Sequence, residues 1–248
     1  MRILIINPNT SEKCTALIAA EAGRAASAQT QLLVETAGFG VEYIETRIES
    51  AIAGYAVACA AAERYGEYDG VVVAAFGDPG LLGLKELLDC PVVGMTEAAL
   101  ATASLLGQRY SLIAISDRIA SWYKETLEAR HFADRLASIR SLKDPFDDIG
   151  TIQDDCAERL VELAHQAVRE DGADVLVLAG APLAGLARKV GDQLPVPVVD
   201  GVSCAVRQCE ALLALKPGVT RAGSFSAPPH KPNRGLPQAL ASLLEGKG

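Results

Sequence analysis

With 248 residues, half of them hydrophobic, the chain can bury one large core or two small ones. A net charge of −8 argues against nucleic acid and anionic membranes as partners, and no apolar run approaches the roughly 18–20 residues of a membrane span. The opening Met1–Ile6 is too short for a signal-peptide core and runs into Asn7-Pro8-Asn9-Thr10, so a soluble cytoplasmic protein is expected.

Strands are predicted at 2–6, 31–35, 70–75, 91–94, 110–115, 173–179 and 196–200. They are continuous apolar runs such as Val71-Val72-Val73, which suit a parallel sheet covered on both faces. Helical periodicity lies between them. Ile44, Ile48, Ile52, Tyr55 and Cys59 recur at steps of three or four, as do Cys156, Leu160, Leu163 and Ala167, in stripes of the kind that face a core. This alternation implies βαβ units. The segment 216–236, rich in Pro and Gly, is either a flap over a cleft or a surface loop.

The chain also repeats itself. Residues 69–81 read DGVVVAAFGDPGL and residues 174–186 read DVLVLAGAPLAGL, which aligns Gly80 with Gly185 at an offset of 105. The expected fold class is α/β, with two pseudo-twofold-related lobes, each a short, mostly parallel sheet flanked by helices. Lobe 1 is assigned to 1–97 plus 208–248 and lobe 2 to 98–207, with the cleft between them.

Ligands of open α/β sheets bind beyond the carboxyl ends of the strands. Those ends carry Asn7-Pro8-Asn9-Thr10, Phe76-Gly77-Asp78-Pro79-Gly80, Glu97, Ser116, Gly180-Ala181-Pro182 and Asp200-Gly201. Backbone N–H groups at such turns favour an anionic or carbonyl group. Each motif also has a plain reading as a turn or helix cap, with Thr10 as one such cap.

Taken together, these motifs resemble the aspartate/glutamate/hydantoin racemase superfamily, in its hydantoin and allantoin racemase branch. The resemblance rests on their order, their spacing and the duplication. It implies a cofactor-free, homo-oligomeric isomerase acting on the carbon α to a carbonyl. The implied substrates are a hydantoin, allantoin, an amino acid or a small dicarboxylic acid. It places one catalytic cysteine at the position of Ala75 and one at Gly180. Neither residue here can carry a proton. Asp78 and Glu97 are the remaining candidate acids or bases. Asn7, Thr10, Phe76, Gly77, Ser116, Ala181 and Pro182 are the candidate substrate contacts, and no metal site is expected.

The six cysteines form no CxxC pair and are expected as reduced thiols; Cys59 and Cys156 read as core. His131, His165 and His230 fall outside the strand-end motifs. Three readings stay open. One is a racemase inactivated by alanine in place of cysteine at 75. Another is different chemistry on the same scaffold through Asp78 or Glu97: a decarboxylase, lyase, hydrolase or isomerase. The third is a non-catalytic binder of a small acid or ureide.

Overall fold

A computed structural model describes residues 1–143 and 151–246. The first sheet holds β1 (Arg2–Asn7), β2 (Gln31–Thr36), β3 (Gly70–Val73) and β4 (Val92–Gly94) in the order β2-β1-β3-β4. The second holds β5 (Tyr110–Ala114), β6 (Leu136–Ser141), β7 (Val175–Ala179) and β8 (Val198–Asp200) in the order β6-β5-β7-β8. All pairings are parallel, and the second sheet repeats the topology of the first.

The central strands are apolar on both faces because both faces are covered. Ile3, Leu4, Ile5 and Ile6 are fully buried, as are Val71, Val72 and Val73. Each such side chain contributes roughly 1.5–3 kcal/mol. The repeat extends to the pins that set strand register. Asp69, just before β3, accepts from the Arg2 backbone N–H at 2.8 Å, which fixes the start of β1. Asp174, 105 positions later, accepts from Gln108 and Arg109 at 3.0 and 2.9 Å and fixes the start of β5.

The helices are α1 (Glu12–Ala25), α2 (Arg47–Glu63), α3 (Leu81–Leu87), α4 (Met95–Leu106), α5 (Asp117–Ala129), α6 (Ile152–Asp171), α7 (Leu186–Val190), α8 (Gly201–Leu215) and α9 (Gln238–Leu244). α4 leaves β4 but packs on β7 of the other sheet, and α8 leaves β8 but packs on β3 and β4. The two helices also pack on each other. Gln208 on α8 donates to the Ala98 carbonyl and to Thr102 on α4, at 2.8 and 2.9 Å. This exchange of helices presses the two sets of strand ends together. Among the described residues, no helix is long and apolar enough to cross a membrane.

Two expectations are corrected. β6 is a strand that apolar runs do not reveal, because LASIRS is a half-buried edge strand with polar side chains. Of the stripe read on α2, Ile44 lies before the helix and only Cys59 among the helical members is buried; Ile48, Ile52 and Tyr55 face solvent. The buried face of α2 is built from Ala53, Ala56, Val57, Ala61 and Ala62 instead. Of the two readings of 216–236, the position of this segment agrees with the surface loop and not with the flap. Its residues 217–220 and Phe225 flank a separate hollow beside Cys90, Pro91 and Val92, at the opposite end of the sheet.

Candidate functional site

Ala75 and Gly180, the pair related by the repeat, line one cavity together with Asn9, Tyr43, Ile44, Phe76, Ile115, Tyr123, Ala181 and Pro182. Its volume is ≈ 20 Å³, room for about one water. Ala75 and Phe76 follow β3; Gly180, Ala181 and Pro182 follow β7. The two turns share a conformation further on: Gly80 and Gly185 both sit in the left-handed region, at φ 77° and 82°, just before α3 and α7.

The backbone distinguishes positions 75 and 180. Position 75 has ordinary backbone geometry. Gly180 has φ 142°, a conformation that side-chain-bearing residues rarely adopt. Space is not the obstacle there, since an added Cβ would meet Pro182 at 3.6 Å and the Tyr123 hydroxyl at 4.0 Å. The obstacle to a side chain is the backbone angle.

No carboxylate, lysine, histidine or cysteine lies in the cavity wall. Its titratable groups are two phenols. Burial pushes the Tyr123 hydroxyl well above the ordinary tyrosine range, with Tyr43 and Asp78 adding to the shift. Burial does the same to Tyr43, with Glu45 and Glu49 adding to it. Both phenols are therefore neutral hydrogen-bonding groups at physiological pH. Tyr123 packs its ring on Phe76 at 4.7 Å. No protein acceptor is found among the described residues for the backbone N–H groups of Phe76 and Ala181. The wall thus combines neutral donors with the apolar surfaces of Ile44, Ile115 and Pro182.

Asp78 lies one turn behind the wall. Its buried carboxylate accepts from the Thr96 and Glu97 N–H groups, at 2.7 and 3.1 Å, and from Arg130 Nη1 at 2.7 Å. Burial raises this carboxyl to about 6, against the pull of Arg130 and the Thr96 N–H. Glu97 bonds Lys85 Nζ at 2.7 and 2.8 Å and closes a capping box on the Gly94 N–H. Asp78 and Glu97 are thus held by partners away from the cavity.

Asn7 is also behind the wall. Its amide donates to Asn9 Oδ1, the Ser11 carbonyl and Thr15 Oγ1. That network leaves Asn9 as the member of Asn-Pro-Asn-Thr in the cavity wall. Thr10 gives its N–H to the Val41 carbonyl at 3.0 Å, and Ser11, not Thr10, caps α1. The Gly77 N–H is taken by Thr96 Oγ1 at 2.6 Å, so it is not a free donor to a ligand. Ser116 caps α5 and donates to Glu45 Oε1 at 2.6 Å. None of the six free cysteines lies in the wall. Cys14 is closest in setting, hydrogen-bonded to Asn9, but burial raises its thiol to about 12.

Sequence reading missed Tyr43, Ile44, Ile115 and Tyr123. Ile115 precedes the Ser116 cap that it had singled out, and Tyr123 lies two turns into the helix that Ser116 caps. Tyr43 sits in an irregular connection and gave no signal, while Ile44, on the same connection, reads only as part of a helical stripe.

A doubled α/β unit that brings equivalent strand ends to one small, uncharged cavity defines the architecture of a racemase-like two-lobed protein. A family model described as Asp/Glu/Hydantoin racemase matches residues 3–209, and the chain belongs to that family. It is 36% identical over 238 residues to a hydantoin racemase from Paenarthrobacter aurescens, covering 93% of this chain and 99% of that one. Its structure matches an allantoin racemase from Klebsiella pneumoniae with a TM-score of 0.92 and 34% identity, over 97% of this chain and 98% of that one. An allantoin racemase from Pseudomonas fluorescens matches with a TM-score of 0.89 and 35% identity, over 95% and 100%.

Proposed function

We propose that the cavity between Ala75 and Gly180 receives a small hydantoin- or allantoin-like ureide. On this reading the chain is a cofactor-independent isomerase of the racemase class, acting on the carbon α to the ureide carbonyl. The observation that carries it is the meeting of positions 75 and 180 in one cavity of neutral donors. The similarity to hydantoin and allantoin racemases supports the substrate class. Asn9, Tyr123 and the N–H groups of Phe76 and Ala181 hold the ring's carbonyl and amide edges. Ala181 and Pro182 close one face; Ala75 and Phe76 close the other.

Racemisation needs a base on one face of the carbon and an acid on the other. Ala75 and Gly180 supply neither, so exchange by the chain as it stands is slow. A second reading, ureide binding without turnover, is favoured by one observation. Gly180 has a backbone angle suited to glycine, so the second thiol position differs in conformation as well as in side chain. Asp78 and Glu97 act in both readings as positioning groups. Homo-oligomerisation in the cytoplasm is part of the proposal, and the uncharged outer face of α2 supports it.

The test is solvent-deuterium entry at C5 of hydantoin and at the stereocentre of allantoin, followed by NMR alongside calorimetric titration. Expected outcomes are saturable binding to the unaltered chain and little exchange. Exchange should rise on one face in Ala75→Cys, and racemisation should follow in Ala75→Cys/Gly180→Cys, with a lowered melting temperature because φ 142° strains any side-chain-bearing residue at 180. Absence of binding to the chain and to both variants would sink the ureide reading. Binding without exchange in the double variant would leave the binder.

A further inference from the structure

The cavity holds about one water, yet the proposed ligand is a ring several times larger. Something in the wall must move to admit it. We propose that the connection between β2 and α2, residues 37–46, is a door that opens against α5. This rests on the ureide reading for its ligand and on separate observations for its mechanics.

α5 is the fixed jamb. Its Trp122 ring packs so closely on Gly77 that an added Cβ there would lie 2.4 Å from it. The Tyr123 ring packs at a tilt on Phe76, and Arg130, just past the helix, forms a buried ion pair with Asp78 at 2.7 Å. α5 is thereby anchored to the turn that carries Ala75.

The connection is held differently. It has no helix or strand of its own, and it contributes Tyr43 and Ile44 to the cavity wall. Beside the packing of Ile44 in the core that Tyr123 shares, its ties to α5 are polar side chains at or near the surface. Ser116 Oγ donates to Glu45 Oε1 at 2.6 Å, and Arg118 Nε lies 3.8 Å from Glu45 Oε2. At its end, Arg47 forms a bidentate pair with Glu125, with Nε–Oε2 at 2.8 Å. Arg47 and Arg118 side chains are 64% and 68% exposed, so their pairs are weak and salt-sensitive. One edge of the cavity is thus closed by packed rings and a buried ion pair. The other is closed by Tyr43 and the buried Ile44, on a connection tied to the first lobe by the Ala37–Asn7 and Thr10–Val41 backbone hydrogen bonds and to α5 by polar pairs that break readily.

Trp122 is the single tryptophan of the chain and sits at this seam, so its fluorescence reports the door. The experiment is stopped-flow mixing of the full chain with hydantoin and with allantoin. The expected observed rate rises with ligand and reaches a plateau set by door opening. Arg47→Ala, Glu125→Ala and Arg118→Ala, none in the cavity wall, should each raise the plateau by up to about fivefold. Added salt should raise it in the unaltered chain and less in the variants. A rate that stays linear in ligand, or a plateau unmoved by all three variants, would overturn the door. If neither compound gives a signal, the ureide reading fails by itself. The door is then read from hydrogen exchange of residues 37–46 without ligand. Faster exchange in the three variants supports it, and unchanged exchange rejects it.

Discussion

At the scale of single residues, the two lobes solve one problem with carboxylates placed differently. In each lobe the turn after the third strand must be fastened to the helix after the fourth. In the first lobe Asp78 stands on the turn and reaches the N–H groups of Thr96 and Glu97 on α4. In the second, Asp200 stands before α8 and reaches back to the Gly185 N–H at 2.7 Å while capping Ser203 at 2.9 Å. Sequence reading could mark both acids and their caps. It could not see Arg130, 52 residues from Asp78, because an ion pair across two lobes leaves no local pattern. The burial of Asp78 has a measurable consequence. Its carboxyl is raised from 3.8 to about 6, so the folded chain binds this proton more tightly than the unfolded one. Its contribution to stability is complete below pH 3.8 and is lost as pH rises through about 6. At 1.36 kcal/mol per pH unit, that slope amounts to about 3 kcal/mol. Asp78→Asn removes the slope, while the loss of the Arg130 bond adds an offset that does not vary with pH. Denaturant melts at pH 4, 5.5 and 7 should therefore show the variant gaining on the unaltered chain by about 2 kcal/mol across the range, since part of the contribution is already lost at pH 4. A constant difference would mean that Asp78 is ionised throughout.

At the scale of elements, legibility follows burial on both faces. β1, β3, β5 and β7 are central strands with apolar residues throughout, and their positions are plain in the sequence. β6 is an edge strand whose mixed residues form no continuous apolar run. α2 misleads for the opposite reason: it is apolar on both faces, so periodicity cannot choose the inner one. Size decides instead. Small residues face inward because α2 packs backbone to backbone on the turn beside the cavity, where Gly54 meets Gly80. A Cβ on Gly54 would lie 3.0 Å from the Gly80 nitrogen and 3.3 Å from its Cα. Helix propensity alone would have Gly54→Ala stabilise by roughly 1 kcal/mol. The neighbour is backbone and cannot rotate aside, so overpacking of about 1–3 kcal/mol prevails. Gly54→Ala is expected to lower the melting temperature, whereas Gly23→Ala on α1, with nothing within 4 Å, should hold or raise it. If both variants melt higher than the parent, the close approach at Gly54 is not limiting.

At the scale of the whole molecule, the outer face of α2 stands out because the chain carries a net charge of −8. No charged residue occurs on α2 between Glu49 and Glu63. Ile48 is 68% exposed, and Ile52, Tyr55 and Phe39 are exposed beside it. The rings of Phe39 and Tyr55 pack at a tilt, 5.5 Å between centroids, which joins the helix face to the β2–α2 connection. A helix that is apolar all round is a buried helix, and a second copy of the same face would bury this one with closed twofold symmetry. Ile48→Glu tests this without disturbing the fold, because an acid in the first turn suits the helix dipole. Light scattering on the eluting protein should give a multiple of 26.0 kDa for the unaltered chain and a mass near 26.0 kDa for the variant, with unchanged circular dichroism. Equal masses for both would remove α2 as the contact. Because Phe39 lies on the connection that carries Tyr43 and Ile44, association through this face would also press on the cavity wall. The monomeric variant should then bind hydantoin with a faster plateau rate than the oligomer, which links assembly to access.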